Sequence, residues 1–247
     1  MPVYKNKDYV SLIEPLPSYV EVDISGIPFI EKDDIDISNL NNGKWLIKGS
    51  NCKKSDKEAH NKIVHEFCYD KELRKILENP YKYLAKVGSY YAVSTPDLSL
   101  DDKMNRIKVY GAVFDSRWMG AFLQANGKKV ITTVQWCKEE YFRITHSGLR
   151  DGAPMMISTL GANNSISKET FFKGYHYLRE KCPSSQIICV GDRIEGMDSD
   201  ICYIKYEESF GSKDLSICGW QGSIINWNGE VVTFNDFAEE GSDSNVI

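Results

Sequence analysis

Five short apolar stretches of this chain each end in side chains that could do chemistry. The stretches lead into Tyr69-Asp70, Thr95-Pro96-Asp97, Gln135-Trp136, Ser158-Thr159-Leu160-Gly161 and Gly191-Asp192-Arg193. A carboxylate at such a position can act as a general acid, a general base or a nucleophile, and an indole offers a flat face to a base or a sugar ring. Two carboxylates flanking one bond are the pairing used in glycosyl transfer and glycoside hydrolysis.

Asp97 is the first candidate for catalysis. It follows Pro96 and precedes Ser99, so its carboxylate can point into a crevice while Ser99 holds the turn. The structural alternative is an Asx turn, in which Asp97 only accepts backbone hydrogen bonds. Asp70 and Asp192, which follow two other apolar stretches, are the candidates for a second carboxylate.

The candidate binding residues are Trp136, Ser158, Thr159, Gly161 and Arg117. Trp136 either stacks on a ligand ring or is a core indole. The Ser158 to Gly161 segment offers hydroxyl and N–H groups to a phosphate or an oxyanion, and helix capping explains the same residues equally well. Arg117 either reaches a carboxylate at the end of the sheet or lies on the surface.

The elements that must position these residues follow a repeated β-α pattern. Helical patterns separate the apolar stretches, so the sequence predicts an α/β fold with a mostly parallel sheet of repeated β-α units, an incomplete or distorted TIM-like barrel. In such folds the carboxyl ends of the strands lie together and form the ligand site. We therefore expect the candidate residues to surround one common opening.

Three element predictions bear on the site. Residues 62–68 suit a strand or the continuation of a helix, and we favour the strand. The longest helix is predicted from Leu100 or Asp101 to Ala125, with Ser99 as its N-cap. Residues 223–234 predict a C-terminal β-hairpin that turns at Asn228-Gly229.

The predicted organisation is one main domain with appendages. Residues 1–50 form an N-terminal lead-in segment, residues 51–196 the α/β core, and residues 197–247 a C-terminal β appendage with an acidic tail. A chain of 247 residues fits this arrangement, because single α/β domains often reach such a length.

Composition excludes several classes of function. Mean hydropathy is -0.39 and no apolar run approaches 18 residues, which excludes a membrane span. The net charge of -5 argues against a broad nucleic-acid surface. With no secretion signal at the N-terminus, we expect a cytoplasmic protein. The seven cysteines include no C-x-x-C pair and the four histidines no H-x-x-x-H pattern, so neither a metal nor a particular cofactor is predicted.

A series of short motifs runs through the predicted core. They are Asn79-Pro80-x-x-Tyr83, Thr95-Pro96-Asp97-Leu98-Ser99, Arg117-Trp118-x-Gly120, Gly127, Val130, Thr133-Val134-x-Trp136, Ser158-Thr159-x-Gly161, Phe172, Gly174 and Pro183. In these motifs the chain resembles the domain of unknown function 4417 family, which is found in bacterial genomes and their phages. The similarity covers about residues 62–195 and departs from the family pattern at two places: near Asp70, where two adjacent acids are usual, and at Gly191-Asp192, where Tyr-Gly is commoner. The resemblance implies the fold and the position of the site and adds no reaction.

Two functional hypotheses follow. The preferred one is an enzyme that acts on a glycosidic bond of a nucleoside, nucleotide or sugar, with Asp97 as nucleophile or general base. The alternative is a non-catalytic phage or mobile-element protein that engages a host protein through Trp220 and Trp227 of the C-terminal appendage.

Overall fold

The structure, a computed structural model, describes residues 16–35, 37, 40, 44–162, 165–210, 224–225 and 231–232. Seven parallel strands hydrogen-bond in chain order, so the sheet curls into a half-barrel with β1 and β7 at its edges. This confirms the predicted α/β fold and incomplete barrel. The strands are β1 Trp45–Lys48, β2 Lys62–His65, β3 Ala92–Ser94, β4 Lys129–Thr133, β5 Met155–Ser158, β6 Ile187–Val190 and β7 Cys202–Ile204.

The α-helices occupy the connections of the sheet from β2 to β6. They are α1 Asp70–Glu78, α2 Pro80–Val87, α3 Arg106–Ala125, α4 Phe142–Thr145 and α5 Ser165–Lys181. The prediction of a strand before α1 is confirmed by β2. The sheet runs from residue 45 to residue 204, so it takes in residues that the sequence pattern assigned to the two flanking segments.

The predicted start of the long helix at Leu100 or Asp101 is wrong. The α3 helix begins at Arg106, where the Asn105 side chain accepts a hydrogen bond from the backbone N–H of Lys108 at 3.0 Å. Ser99 cannot cap it, because its hydroxyl donates instead to Asp70 at 2.8 Å. Residues 100–105 therefore form a loop before the helix, and this loop carries the two acidic residues Asp101 and Asp102.

Side chains alternate between the two faces of the sheet, as the two-residue period of a strand requires. One hydrophobic cluster on the inner face contains residues of all seven strands, among them Leu46, Ile63, Ile131, Met156 and Ile188. Helices cover the outer face and bury the neighbouring residues in two further clusters. Burial on both faces explains why the strands read as nearly continuous apolar runs.

The predicted C-terminal β-hairpin lies only partly within the described residues. Two short strands, Ile224–Ile225 (β8) and Val231–Val232 (β9), pair antiparallel. The turn at 228–229 and the two tryptophans Trp220 and Trp227 lie outside the described residues, so the hairpin and the host-protein hypothesis remain predictions. None of the helices that the structure describes has the length and apolar composition of a membrane-spanning segment.

A short segment after β7 returns to the opposite edge of the sheet. We call residues 206–210, a 3₁₀ helix, the strap. The buried His65 at the end of β2 places its Nε2 2.9 Å from the carbonyl oxygen of Ser209, and Asn51 donates to the carbonyl oxygen of Phe210 at 3.4 Å. The strap thereby joins the two edges of the half-barrel near the carboxyl ends of the strands.

Replacing His65 tests how the strap is held. We expect His65→Leu to lower the free energy of unfolding by about 2 kcal/mol, because the Ser209 carbonyl loses its buried donor. His65→Gln retains a donor and should lose less than half as much. Denaturant unfolding gives these values, and hydrogen exchange of residues 206–210 should accelerate only in the leucine variant. Equal destabilisation by both substitutions would contradict this assignment.

His65 should also make the stability of the protein depend on pH. Burial lowers the pKa of His65 to about 4, below its ordinary value of 6.5. The unfolded chain therefore takes up a proton first as the pH falls, so the stability that neutral His65 contributes is intact above pH 6.5 and declines between pH 6.5 and 4. Relative to His65→Gln, the wild-type protein should lose about 3 kcal/mol over that interval in unfolding titrations.

Candidate functional site

A cavity of about 780 Å³ opens at the carboxyl ends of the strands. Four of the predicted site residues line it together: Asp97, Trp136, Ser158 and Gly161. The lining also includes the end of β1, the start of α5 and the strap. The structure thus brings residues from three of the predicted strand ends to one opening, as a parallel sheet requires.

Asp97 is held in place by its two preceding residues. The Thr95 carbonyl accepts a hydrogen bond from the Thr133 hydroxyl at 2.8 Å, and the Thr95 hydroxyl oxygen accepts one from the Thr133 N–H at 3.0 Å. The buried Ser116 hydroxyl of α3 lies 2.8 Å from the Pro96 carbonyl and 3.1 Å from the Thr95 hydroxyl. These contacts fix the backbone from which the Asp97 side chain reaches the cavity.

The Asp97 carboxylate faces the cavity without a donor. No described residue donates a hydrogen bond to it, so the Asx-turn alternative finds no counterpart within the described part of the chain. Burial raises its pKa to about 7, and the nearby carboxylate of Asp70 adds to the increase. Asp70 itself does not line the cavity, because its Oδ1 accepts hydrogen bonds from the N–H and the hydroxyl of Ser99 at 3.0 and 2.8 Å.

Trp136 packs partly in the core and partly lines the cavity, so both alternatives proposed for it apply. One part of the indole packs against Gly174 of α5, where an added Cβ would lie 2.2 Å from the ring, and the ring stacks on the buried His146 with centroids 5.6 Å apart. The remainder is partly exposed and lines the cavity beside Phe171, at a centroid distance of 5.3 Å. Packing fixes the orientation of the indole, so the exposed part is a rigid surface for a ligand ring.

The segment after β5 is largely occupied by its own hydrogen bonds. The Ser158 hydroxyl donates to the Val190 carbonyl at 2.9 Å and accepts from the Leu160 N–H at 3.2 Å. The buried Thr159 hydroxyl donates to the Asp192 carbonyl at 2.9 Å. Thr159 therefore joins two loops and does not line the cavity, whereas Ser158 and Gly161 do.

Besides Asp70 and Thr159, two further predicted site residues lie outside the cavity wall. Asp192 is exposed and is not part of the cavity wall. Arg117 is buried inside the fold and donates to the carbonyls of Thr133, Ser147 and Thr145 at 2.9, 3.1 and 3.4 Å. Burial lowers its pKa to about 10. Arg117 neither reaches a carboxylate nor lies on the surface, and it joins α3 to the segment that follows β4.

The sequence reasoning missed several cavity residues, among them Lys48, Asp101, Asp102 and Tyr206. Lys48 ends β1 and Tyr206 follows β7, so the strand-end rule would have found both if those strands had been given the same weight. Asp101 and Asp102 were placed in a helix that begins five residues later. Among the described residues, no three His, Cys, Asp or Glu side chains converge as a potential metal-ligand set.

Comparison with known proteins extends the resemblance beyond the core. Gene 1 protein of Mycobacterium phage D29 is 31% identical over 110 residues, which are 44% of this chain and 41% of that protein. Gene 1 protein of Mycobacterium phage L5 is 28% identical over 139 residues, 56% of this chain and 61% of that protein. The chain thus spans less than two thirds of either relative. No solved structure is significantly similar to it. The profile of the domain of unknown function (DUF4417) matches residues 22–207, which is most of the chain, and the chain belongs to that family.

Proposed function

We propose that this chain is an enzyme that acts on the glycosidic bond of a nucleoside, nucleotide or sugar. One observation carries the proposal: the Asp97 carboxylate faces a cavity with no donor from any described residue and has a pKa raised to about 7. A general acid or base works best with a pKa near the pH at which it operates. Perturbed carboxylates in clefts are enriched at functional sites.

The raised pKa favours proton transfer over nucleophilic attack by Asp97. A carboxylate nucleophile has to be ionised, whereas Asp97 is close to half protonated at neutral pH. In the proposed hydrolysis, Asp97 removes a proton from water as the water oxygen bonds to the anomeric carbon. The bond to the departing base or sugar breaks with its electron pair on the opposite face of the ring, and the leaving group takes up a proton from solvent water while Asp97 returns its own proton to solvent.

The cavity suits a ligand of this class in size and surface. Sites for small molecules usually occupy about 300–1,000 Å³, and this cavity lies within that interval. The exposed part of Trp136, together with Phe171 and Tyr206, provides aromatic surface for a base or a sugar face. Ser158 and Gln135 contribute polar groups beside those rings.

The experiment is a cleavage screen of the full chain against nucleosides, nucleotides and aryl glycosides. Chromatography of released bases and an assay for reducing sugars report turnover. We expect cleavage of at least one compound, with the rate rising through an apparent pKa near 7 as Asp97 ionises. Absence of cleavage across the panel, or a rate that is flat between pH 5.5 and 8.5, would contradict the proposed function.

A further inference from the structure

We infer that the cavity selects uncharged, hydroxyl-bearing rings, a nucleoside or a free sugar, and discriminates against their phosphate esters. The inference rests on the proposed function, because it specifies the substrate of the same cavity. Two sets of groups support it: the charged and aromatic residues that line the cavity, and the potential phosphate-binding groups that form hydrogen bonds elsewhere in the protein.

The sequence suggested two phosphate-binding features, the Arg117 guanidinium and the segment after β5, and both form hydrogen bonds within the protein. Arg117 gives its guanidinium hydrogen bonds to buried backbone carbonyls and does not line the cavity. In the segment after β5, the N–H of Leu160 donates to Ser158 and the N–H of Ala162 donates to the Thr159 carbonyl. A phosphate that used the N–H groups of Leu160 and Ala162 would have to break these two bonds, because an anion cradle needs backbone N–H groups that point at the ligand.

The charged side chains in the cavity wall are predominantly acidic. Asp97, Asp101 and Asp102 follow β3 on one side, and Lys48 is the sole lysine or arginine among the described lining residues. Asp101 and Asp102 are exposed at the rim, so an entering ligand passes them. A phosphate ester carries close to two negative charges at pH 8 and is repelled by nearby carboxylates.

The same acids are suited to an uncharged ring. An ionised carboxylate only accepts hydrogen bonds, and ring hydroxyls are the donors that complement it. Asp97 has no donor among the described residues, so a ligand hydroxyl would provide its missing partner. With the ring face placed against the exposed part of Trp136, the hydroxyls at the ring edge can meet the acidic wall.

Calorimetric titration with matched pairs tests this selectivity. The probes are adenosine and its 5′-monophosphate, uridine and its 5′-monophosphate, and glucose and glucose 6-phosphate, at pH 8 in low and in physiological salt. We expect the uncharged member of at least one pair to bind about tenfold more tightly, with the ratio falling as salt screens the carboxylates. The D101N/D102N double variant should lose most of the discrimination and still bind the uncharged member, because each asparagine keeps an acceptor oxygen.

Two results would overturn the inference: tighter or equal binding of the phosphate ester in every pair that binds, or no binding by any pair. Failure of the proposed function is distinguishable. Preference for an ester combined with Asp97-dependent cleavage refutes the selectivity alone. Preference for the uncharged ring in a protein whose turnover does not need Asp97 supports the selectivity and refutes the assigned role of Asp97.

Discussion

Asp97→Asn should lower kcat for the cleaved compound about 10³-fold, since a general acid or base typically contributes 10² to 10⁴. The asparagine side chain has nearly the same shape as the aspartate side chain and cannot take up the proton of the attacking water. Thr95, Pro96 and their partners Ser116 and Thr133 remain unchanged, so the cavity should keep its geometry. Ligand affinity should consequently change much less than kcat.

The raised pKa also predicts how the stability of Asp97→Asn differs from that of the wild-type protein. The folded pKa of Asp97 is raised above its ordinary value of 3.8 to about 7. A raised carboxyl pKa contributes stability that is present below the unfolded value and is lost as the pH rises through the folded one. Asp97→Asn should therefore be more stable than the wild-type protein above pH 7, by about 1 kcal/mol because the carboxylate is partly exposed to the cavity.

Asp192→Asn is the matched control, because Asp192 is exposed and outside the cavity wall. Its turnover and its denaturant midpoint should equal those of the wild-type protein. An Asp97→Asn variant that keeps full activity would remove Asp97 from the mechanism. Equal losses in both variants would show that the assay responds to something other than this cavity.

Gly174→Ala should destabilise the protein by about 2 kcal/mol, the usual cost of overpacking a filled interior. A Cβ at this buried position would lie 2.2 to 2.4 Å from three atoms of the Trp136 ring. The indole has to move, and His146 and Phe171 pack against its other sides. The variant should also bind the ligand less tightly, because the displaced ring forms part of the cavity wall.

Gly111→Ala, which is also a glycine-to-alanine change within a helix, should have the opposite effect on stability. Gly111 lies inside α3, and apart from its chain neighbours and the backbone of the helix no atom of the described residues lies within 4 Å of an added Cβ. Alanine there should stabilise the protein by about 0.5–1 kcal/mol, since it reduces the freedom of the unfolded chain and favours the helix. Chemical denaturation and intrinsic fluorescence measure both variants. A Gly174→Ala protein as stable as Gly111→Ala would contradict the packing described for Trp136.

The fold was predictable because its signals are local and repeated. Runs such as Ile187 to Val190 are short, apolar and bounded by turns, and they become parallel strands that are buried on both faces. The rule that carboxyl ends of parallel strands meet then placed Asp97, Trp136 and Ser158 around one cavity.

Other features depend on competition between groups that are distant in the sequence. Ser99 was a plausible helix cap, but Asp70, twenty-nine residues away, takes its hydroxyl, and Asn105 caps α3 instead. The Arg117 guanidinium and the Thr159 hydroxyl, both candidates for binding an anion, instead donate to backbone carbonyls of other segments of the chain. Such pairings require the folded arrangement of the chain, which residue type and spacing do not reveal.

The central claim is that Asp97 and Trp136 contact one ligand in one cavity. A crystal structure of the wild-type protein with the panel compound that binds most tightly tests this claim directly. We expect density for a ring against the exposed part of Trp136, with a ligand oxygen or water within hydrogen-bonding distance of the Asp97 carboxylate. Density for the ligand at another surface, with the cavity holding only solvent, would contradict the account.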